Sequence, residues 1–313
     1  MIQGPLVSVI MPLYNKRPYA GHSVRSILKQ TYRCWELIVM DDGSTDRSAD
    51  AVPLNDRRIR LFRQENKGPG AARNAAVKKG EGEYIAFIDA DDFYYPFKLE
   101  SEMDLLWKEQ KAEWMMSAWD YHTGGTTEHH YVKDVKNADI RDETDVFDDA
   151  LGQLNVAGWP SNGLFMKRTL FERLGGFNEE MRYGEITEFI LRCAVMQPRI
   201  VICHRPLHLH ISVPGSTAKI PVHKKEYPRQ IGESLFKLAQ SCPQHAFRLR
   251  QRGRDSMLSY AASQILVRNG REARKFLVED FQFEKGRKWW KMWLGSWLPV
   301  RIVRRLLKAQ ADQ

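Results

Sequence analysis

Asp89, Asp91 and Asp92 stand within four positions of one another in the stretch FIDADDFYYP, at the end of an apolar run. Like charges so close repel, and nothing adjacent in sequence neutralises them, so the spacing asks for a cation. A D-x-D pair at a strand end would present two carboxylates on one side of an extended chain, because side chains alternate with a period of two. Hard divalent ions such as magnesium or manganese take one or two carboxylates and complete their shell with water and phosphate oxygens. A solvated acidic turn or a structural calcium site would use the same residue types. A calcium loop, however, supplies more alternating oxygen ligands than DADDFYYP does, and Phe93, Tyr94, Tyr95 and Pro96 make the following turn greasy, which favours a catalytic metal.

A second acidic site lies in MDDGSTDRS, residues 40–48. Gly43 permits a tight turn, Ser44 or Thr45 can cap a following helix, and free amides at a helix start favour an anion. An ordinary capped helix after a strand needs no more than that. The two acids before the glycine add something: a carboxylate at a strand top accepts hydrogen bonds from the ring N–H of a base or from sugar hydroxyls. Arg73, early in PGAARNAAVKKG, reads either as a phosphate contact or as a surface ion pair.

These residues need a scaffold, and the chain supplies one. VSVIM at 7–11, ELIVM at 36–40, RIRLF near residue 60 and YIAFI at 84–88 read as buried strands. YAGHSVRSILKQ places Tyr19, Val24, Ile27 and Leu28 near one helical face, and PGAARNAAVKKG opens on Pro69 and closes on Gly80, the punctuation of a helix. Such alternation implies a mainly parallel sheet with helices on both faces, whose ligands sit at the carboxyl ends of the strands. PLYNKR, DDGSTD, QENKGPGAARN and DADD follow the four strands in turn, so four polar loops converge on one rim.

With 313 residues and 43% hydrophobic content the chain can bury a large core. No run approaches the roughly 18–20 apolar residues that cross a bilayer, and the N-terminus shows neither a basic leader nor a cleavage site, so a cytoplasmic location is expected. Cys34, Cys193, Cys203 and Cys242 form no C-x-x-C pair, which argues against a zinc ribbon or redox dithiol and for reduced thiols. From about residue 222 the texture is helical. The formal charge of +9 is unevenly placed, with eight basic and no acidic residues between Lys285 and Lys308, interleaved with Trp289, Trp290, Trp293 and Trp297. Tryptophan with cationic side chains suits an anionic membrane surface, which would hold the protein peripherally on the inner face of the cell membrane. A helix packed on the protein with a solvated basic edge is the rival reading. No nucleic-acid module accompanies these residues, so no nucleic-acid partner is expected.

VSVIMPLYNK, SVRSILKQTYRCWELIVMDDGSTD and ENKGPGAARNAAVKKGEGEYIAFIDADDFYYPFKLE follow the pattern of a family 2 glycosyltransferase in order and spacing, and the first 120 residues or so resemble its nucleotide-binding half. GGFNEEMRYGEITEFILR, residues 175–192, is similar to the second family landmark, a glycine-phenylalanine turn leading into an acidic helix start. The resemblance implies a GT-A fold, α/β with a mostly parallel sheet flanked by helices, here with a helical C-terminal extension. It divides the chain into a nucleotide-sugar-binding half at 1–120, an acceptor-binding half at 121–221 and the extension at 222–313. The implied reaction is inverting transfer from a nucleoside-diphosphate sugar, a UDP-sugar in the first place. The implied acceptor is a saccharide or lipid-linked glycan, in cell-surface polysaccharide or glycolipid synthesis, with Mn2+ or Mg2+ as cofactor.

Carried over residue by residue, the resemblance puts Pro12, Tyr14 and Asp42 around the nucleobase and ribose, and Asn66, Arg73 and Asn74 on the border of the same pocket. Asp89 and Asp91 match the D-x-D that holds the ribose and the metal. His210 matches a position where some members place a last metal ligand, while His204 and His208 read more readily as structural. Ser212, Ser216 and Thr217 match a loop that closes over the diphosphate. VICHRPLHLHISVPGSTAK, residues 201–219, is expected as a strand pair or sheet edge near the cleft. WPSNGLFMKR is expected to floor the acceptor side, with Trp159 stacking on a sugar or filling core.

At the acidic helix start the chain departs from its relatives: the usual Glu-Asp stands here as Glu185-Ile186. Isoleucine cannot take a proton. Glu185, where the helix dipole holds a carboxylate, leads as general base. Glu188, one turn on, is second. Loss of the base is third, and would make the chain a catalytically inactive nucleotide-sugar-binding protein. A sugar-nucleotide pyrophosphorylase would share the sheet and metal aspartates but needs a glycine-rich loop where PLYNKRPY stands.

Overall fold

The computed structural model describes residues 4–123, 126–130, 139–141, 159–196, 199–213, 227–266, 270–275, 277 and 296. The chain divides into two compact units, residues 1–216 and 217–313.

In the first unit, β1 (Val7–Leu13) and β2 (Trp35–Asp41) are buried along almost their whole length. They therefore read as largely apolar runs, broken only by Ser8 in β1 and by Glu36 and Asp41 in β2, as strands covered on both faces do. β1 pairs in parallel with β2, from Val7 opposite Trp35 to Leu13 opposite Asp41, and on its other side with β4 (Tyr84–Phe87). β3 (Ile59–Arg63) extends the sheet beyond β2, also in parallel. α1 (Arg17–Leu28) and α2 (Pro69–Val77) provide crossovers; α2 starts on Pro69, where a missing N–H costs nothing. Parallel pairing brings all four carboxyl ends to one rim.

Beyond β4 the sheet becomes mixed. β5 (Phe93–Tyr94), β6 (Trp114–Thr123), β7 (Thr126–His130), β8 (Asp139–Arg141), β9 (Leu164–Lys167) and β10 (Ile200–Ile211) complete it in the order β3-β2-β1-β4-β9-β6-β10-β5, with β7 on β6 and β8 on β10. β9 runs antiparallel to both β4 and β6, whereas β6 and β10 are parallel. The segment expected as a strand pair or edge is, over 200–211, one long strand flanked by other strands, with register shifts around Pro206, which has no N–H for the ladder. After β2 the expected capped helix is only a four-residue 3-10 turn, Ser48–Ala51. Asp46 accepts the Ser48 N–H at 2.9 Å, while the Ser44 hydroxyl is committed to the N–H of Asn15 at 3.1 Å. α3 (Lys98–Lys108), α4 (Arg168–Leu174) and α5 (Glu185–Met196) complete the unit.

α3 carries a fully buried ion pair, Lys98 with Glu102 one turn on, beneath the Tyr94 ring. Burial pushes the Glu102 carboxyl up to about 7 and the Lys98 ammonium down, each opposed by its partner's charge. Lys98→Met is expected to cost about 3–5 kcal/mol at pH 8, because it leaves an uncompensated buried charge. A raised carboxyl pKa makes the folded state bind more protons than the unfolded chain between the ordinary and raised values, so stability falls as pH rises through that window. The cost should accordingly shrink at pH 5, where the folded variant holds Glu102 neutral. Urea unfolding at the two pH values measures this, and equal losses would contradict it.

The second unit contains α6 (Tyr227–Ser241), α7 (Ala246–Leu266) and α8 (Gly270–Lys275), with a core of Phe236, Met257, Tyr260, Ala261 and Leu277. α6 and α7 approach closely at two glycines: a Cβ on Gly232 would lie 2.9 Å from the Gly253 carbonyl. No helix among the described residues is long and apolar enough to cross a membrane. Trp289, Trp290, Trp293 and Trp297, like Ser216 and Thr217, lie outside the described residues. All four cysteines are free thiols.

Candidate active site

The rim is assembled by loops pinned to one another. Asn15 adopts a positive φ of 51°, which asparagine tolerates. Its side-chain oxygen accepts the Thr45 N–H at 2.8 Å, the Lys16 N–H donates to the Ser48 hydroxyl at 2.7 Å, and the Arg17 N–H donates to Asp46 at 3.0 Å. The loop after β1 is thereby stapled to the loop after β2. Tyr14 stands out from this junction, 47% exposed, beside the half-buried Pro12.

Asp42 is buried at the end of β2 and faces the next loop. Its carboxylate accepts the backbone N–H groups of Lys67 and Gly68, each at 2.9 Å, and the Gln64 amide at 2.8 Å. Three of about four lone-pair sites are thus used within the chain, leaving room for one further donor. Gly43, next in line, has φ +77°, and a Cβ there would press on the Asn66 N–H at 3.1 Å. Asn66 is exposed at the tip of this loop.

The three clustered aspartates do not lie on an extended strand. β4 ends at Phe87, and the Asp92 N–H returns to the Asp89 carbonyl at 3.0 Å, so the four residues form a turn and the period-two argument does not apply to them. Their mutual repulsion is met from afar. Asp89 pairs with Arg73 at 2.7 Å, Asp91 with Lys16 at 2.5 Å and Asp92 with His210 at 3.0 Å. Asp89 and Asp91 keep partial exposure, 28% and 14% of their side chains, whereas Asp92 is fully buried. Burial pushes the Asp92 carboxyl up to about 6 against the pull of His210, and the neighbouring Asp89 and Asp91 push it further the same way. Burial works against the His210 imidazolium, but Asp92 outweighs it and holds the ring above its ordinary value.

Arg73 is 3% exposed and is not a surface ion pair. One end of its guanidinium donates to Asp89 and the other to Glu185 at 2.9 Å, while Ser161 lies at 3.3 Å and the group sits 5.6 Å above the Phe177 ring. Glu185 begins α5 after Gly184, whose φ is +77°. Burial raises its carboxyl above the ordinary range, with Arg73 acting against that rise. Glu188 is engaged elsewhere, bidentate with Arg192 at 2.8 Å. Asn74 holds the glycine-phenylalanine turn ahead of this helix: it accepts the Phe177 N–H and donates to the Phe177 carbonyl, both at 2.9 Å. A Cβ on Gly176 would come within 2.6 Å of the Asn74 side-chain oxygen.

The structure gathers Asp42, Asn66, Arg73, Asp89, Asp91, Glu185 and His210 around this rim, and it adds residues the sequence did not single out. Ser161 and Asn162 lie against the acidic turn, Asn162 accepting the Asp89 N–H at 2.8 Å and donating its amide to Asp92. Their sequence signal was a polar Ser-Asn pair in an otherwise apolar WPSNGLFM, assigned to the acceptor floor. Trp159 next to them is core, 3% exposed. Lys16 had the plain signal of being a cation in a rim loop. His208 is fully buried against Trp119, with neither ring nitrogen hydrogen-bonded among the described residues, and burial holds it neutral. Among the described residues no three His, Cys, Asp or Glu side chains form a closed metal cage.

Comparison with known proteins agrees with this architecture. The model of the family "Glycosyl transferase family 2" matches residues 8–171. An uncharacterized glycosyltransferase, RC0461, of Rickettsia conorii is 38% identical over 118 residues, which are 37% of this chain and 19% of that protein. The Escherichia coli enzyme WfgD, named UDP-Glc:alpha-D-GlcNAc-diphosphoundecaprenol beta-1,3-glucosyltransferase, is 45% identical over 105 residues, 33% of this chain and 42% of that one. The chain thus spans well under half the length of these curated relatives. Among solved structures, S. aureus TarS 1–349 in complex with UDP-GlcNAc superposes with a TM-score of 0.62 at 18% identity, covering 93% of this chain and 79% of that one, a likeness of fold. With more than half of its residues matched by the family model, on the sheet and rim described above, the chain belongs to glycosyl transferase family 2.

Proposed function

We propose that the protein transfers a sugar from a nucleoside-diphosphate sugar, a UDP-sugar in the first place, to a hydroxyl of a saccharide or lipid-linked glycan, with inversion at the anomeric carbon. One observation carries the reading: a single buried guanidinium, Arg73, joins the acidic turn after β4 to the carboxylate that opens α5. Donor-side and acceptor-side groups are thereby held in one rigid frame. In the proposed reaction the acceptor oxygen attacks the anomeric carbon, the bond from that carbon to the diphosphate oxygen breaks, and Glu185 takes the acceptor proton. Burial raises the Glu185 carboxyl above its ordinary range, which makes it a stronger proton acceptor, and Arg73 keeps the group oriented. Asp42, with one acceptor site left, receives the base's ring N–H, while Pro12 and Tyr14 flank the ring and Asn66 closes the loop beside it.

The donor chemistry of the rim fits a hard divalent ion, Mn2+ or Mg2+. Two partly exposed carboxylates, Asp89 and Asp91, are the kind of set such ions use when phosphate and water complete the shell. His210 adds a nitrogen whose ring orientation is fixed by Asp92 through Nδ1, the arrangement that commonly backs a ligating histidine. A bound ion of this kind neutralises the charge that grows on a departing diphosphate. Incubating the protein with a panel of nucleotide sugars and saccharide acceptors tests the reading: one donor should release its nucleoside diphosphate and yield a product of inverted configuration. Donor binding without release from any member of the panel would favour a binding protein that has lost its base.

Peripheral attachment to an anionic membrane belongs to the same proposal. Residues 217–313 contain 21 Lys and Arg against 8 Asp and Glu, a formal +13, which leaves −4 for residues 1–216. On α7, Phe247 is 76% exposed and is followed by the exposed basic positions Arg248 and Arg250. The protein should sediment with vesicles containing phosphatidylglycerol, not with pure phosphatidylcholine, and should release as salt is raised. Failure to bind anionic vesicles at low salt would end this part of the proposal.

A further inference from the structure

The three aspartates of the acidic turn have partners of different kinds. Arg73, opposite Asp89, is locked by its second carboxylate and almost wholly buried. His210, opposite Asp92, is wedged against the Tyr121 ring at 5.3 Å. Lys16, opposite Asp91, is neither. Its ammonium has Asp91 as its one hydrogen-bond partner among the described residues, and both ends of the pair reach solvent, with 21% and 14% of the side chains exposed. Its backbone is fixed through the N–H bond to Ser48, so only the flexible four-carbon stem is free to move. A partly exposed pair of this type adds little net stability, and a doubly charged ion competes well for the same oxygen.

We propose that Lys16 is a resident counter-ion of Asp91 that must be displaced when a divalent ion enters with a nucleoside diphosphate, and that the freed ammonium then donates to the diphosphate. This rests on the donor-site reading above. The device answers the charge problem of three adjacent carboxylates in the absence of ligand. It also makes the metal alone a poor ligand and the metal–nucleotide pair a good one, because only the pair offers Lys16 a new anionic partner.

Removing the ammonium therefore has opposite effects on the two affinities. In titrations of the full chain followed by the electron paramagnetic resonance of free Mn2+, without nucleotide, Lys16→Met is expected to bind Mn2+ about tenfold more tightly than the parent, the scale on which groups around a metal site tune affinity. Calorimetry with UDP at saturating Mn2+ should show about tenfold weaker nucleotide binding in the same variant. Lys16→Arg, which keeps a cation on Asp91, should stay close to the parent in Mn2+ affinity. Equal or weaker Mn2+ binding by the Met variant, with nucleotide binding intact in the parent, would overturn the displacement. If neither protein bound UDP while the Mn2+ difference persisted, the donor-site reading and the transfer of Lys16 to a diphosphate would both fall, and only the competition between Lys16 and the ion at Asp91 would stand.

Discussion

Glu185→Gln is expected to lower turnover by about 10²–10⁴-fold, the usual contribution of a positioned base, while UDP affinity stays within about twofold of the parent. Glutamine fills the same volume and its carbonyl oxygen can still accept from Arg73, so the frame survives and the proton acceptor alone is lost. The parent's rate should rise with pH through a carboxyl pKa above the ordinary range, because burial raises it and only the ionised form takes a proton. That limb of the pH profile should vanish in the variant. Glu188→Gln makes the control: its partner Arg192 also binds the carbonyls of Leu174 and Gly176, so the change should loosen α5 with little effect on chemistry. Unchanged turnover in Glu185→Gln, or a collapse confined to Glu188→Gln, would move the base elsewhere.

Arg73→Met should be more damaging still. The guanidinium satisfies Asp89 and Glu185 together, and its removal leaves the buried Glu185 without a counter-charge, at a cost of about 3–5 kcal/mol. The folded protein can recover part of that by protonating Glu185, which disables it as a base, so stability and transfer should fall together. Arg73→Lys keeps the charge but has no planar fork to span two carboxylates, and should fold while transferring slowly. Urea unfolding and transfer rates on the two variants check this. A methionine variant as stable as the parent would mean that the Asp89–Arg73–Glu185 link carries no structural weight.

The strands that build the rim were legible because each is a short run rich in apolar residues and closed by a polar loop, and β1 to β4 are parallel as that alternation requires. α2 announced itself through Pro69. The pairings that make the site were not legible, since local pattern encodes a period and not a partner. Arg73 and Glu185 are 112 residues apart, Lys16 and Asp91 are 75 apart, and Asp89 and Asn162 are 73 apart. The acidic stretch showed only part of its surroundings. Its repulsion implied a cation, and the chain itself supplies two, Arg73 and Lys16, with His210 hydrogen-bonded to the third carboxylate. In the proposed reaction a divalent ion would compete with these partners for the same carboxylates. The insertion of β9 between β4 and β6 was equally hidden, because LFMK has the same apolar look whichever way it runs.

The measurement that bears most directly on the whole account is a calorimetric titration of UDP into the protein with Mn2+, repeated with chelator and with Asp91→Asn. Saturable one-site binding that weakens at least about tenfold on removing the ion, and comparably in the variant, is the predicted result. Heats that are absent under every condition, or identical in parent and variant with and without the ion, would contradict a nucleotide site at this rim.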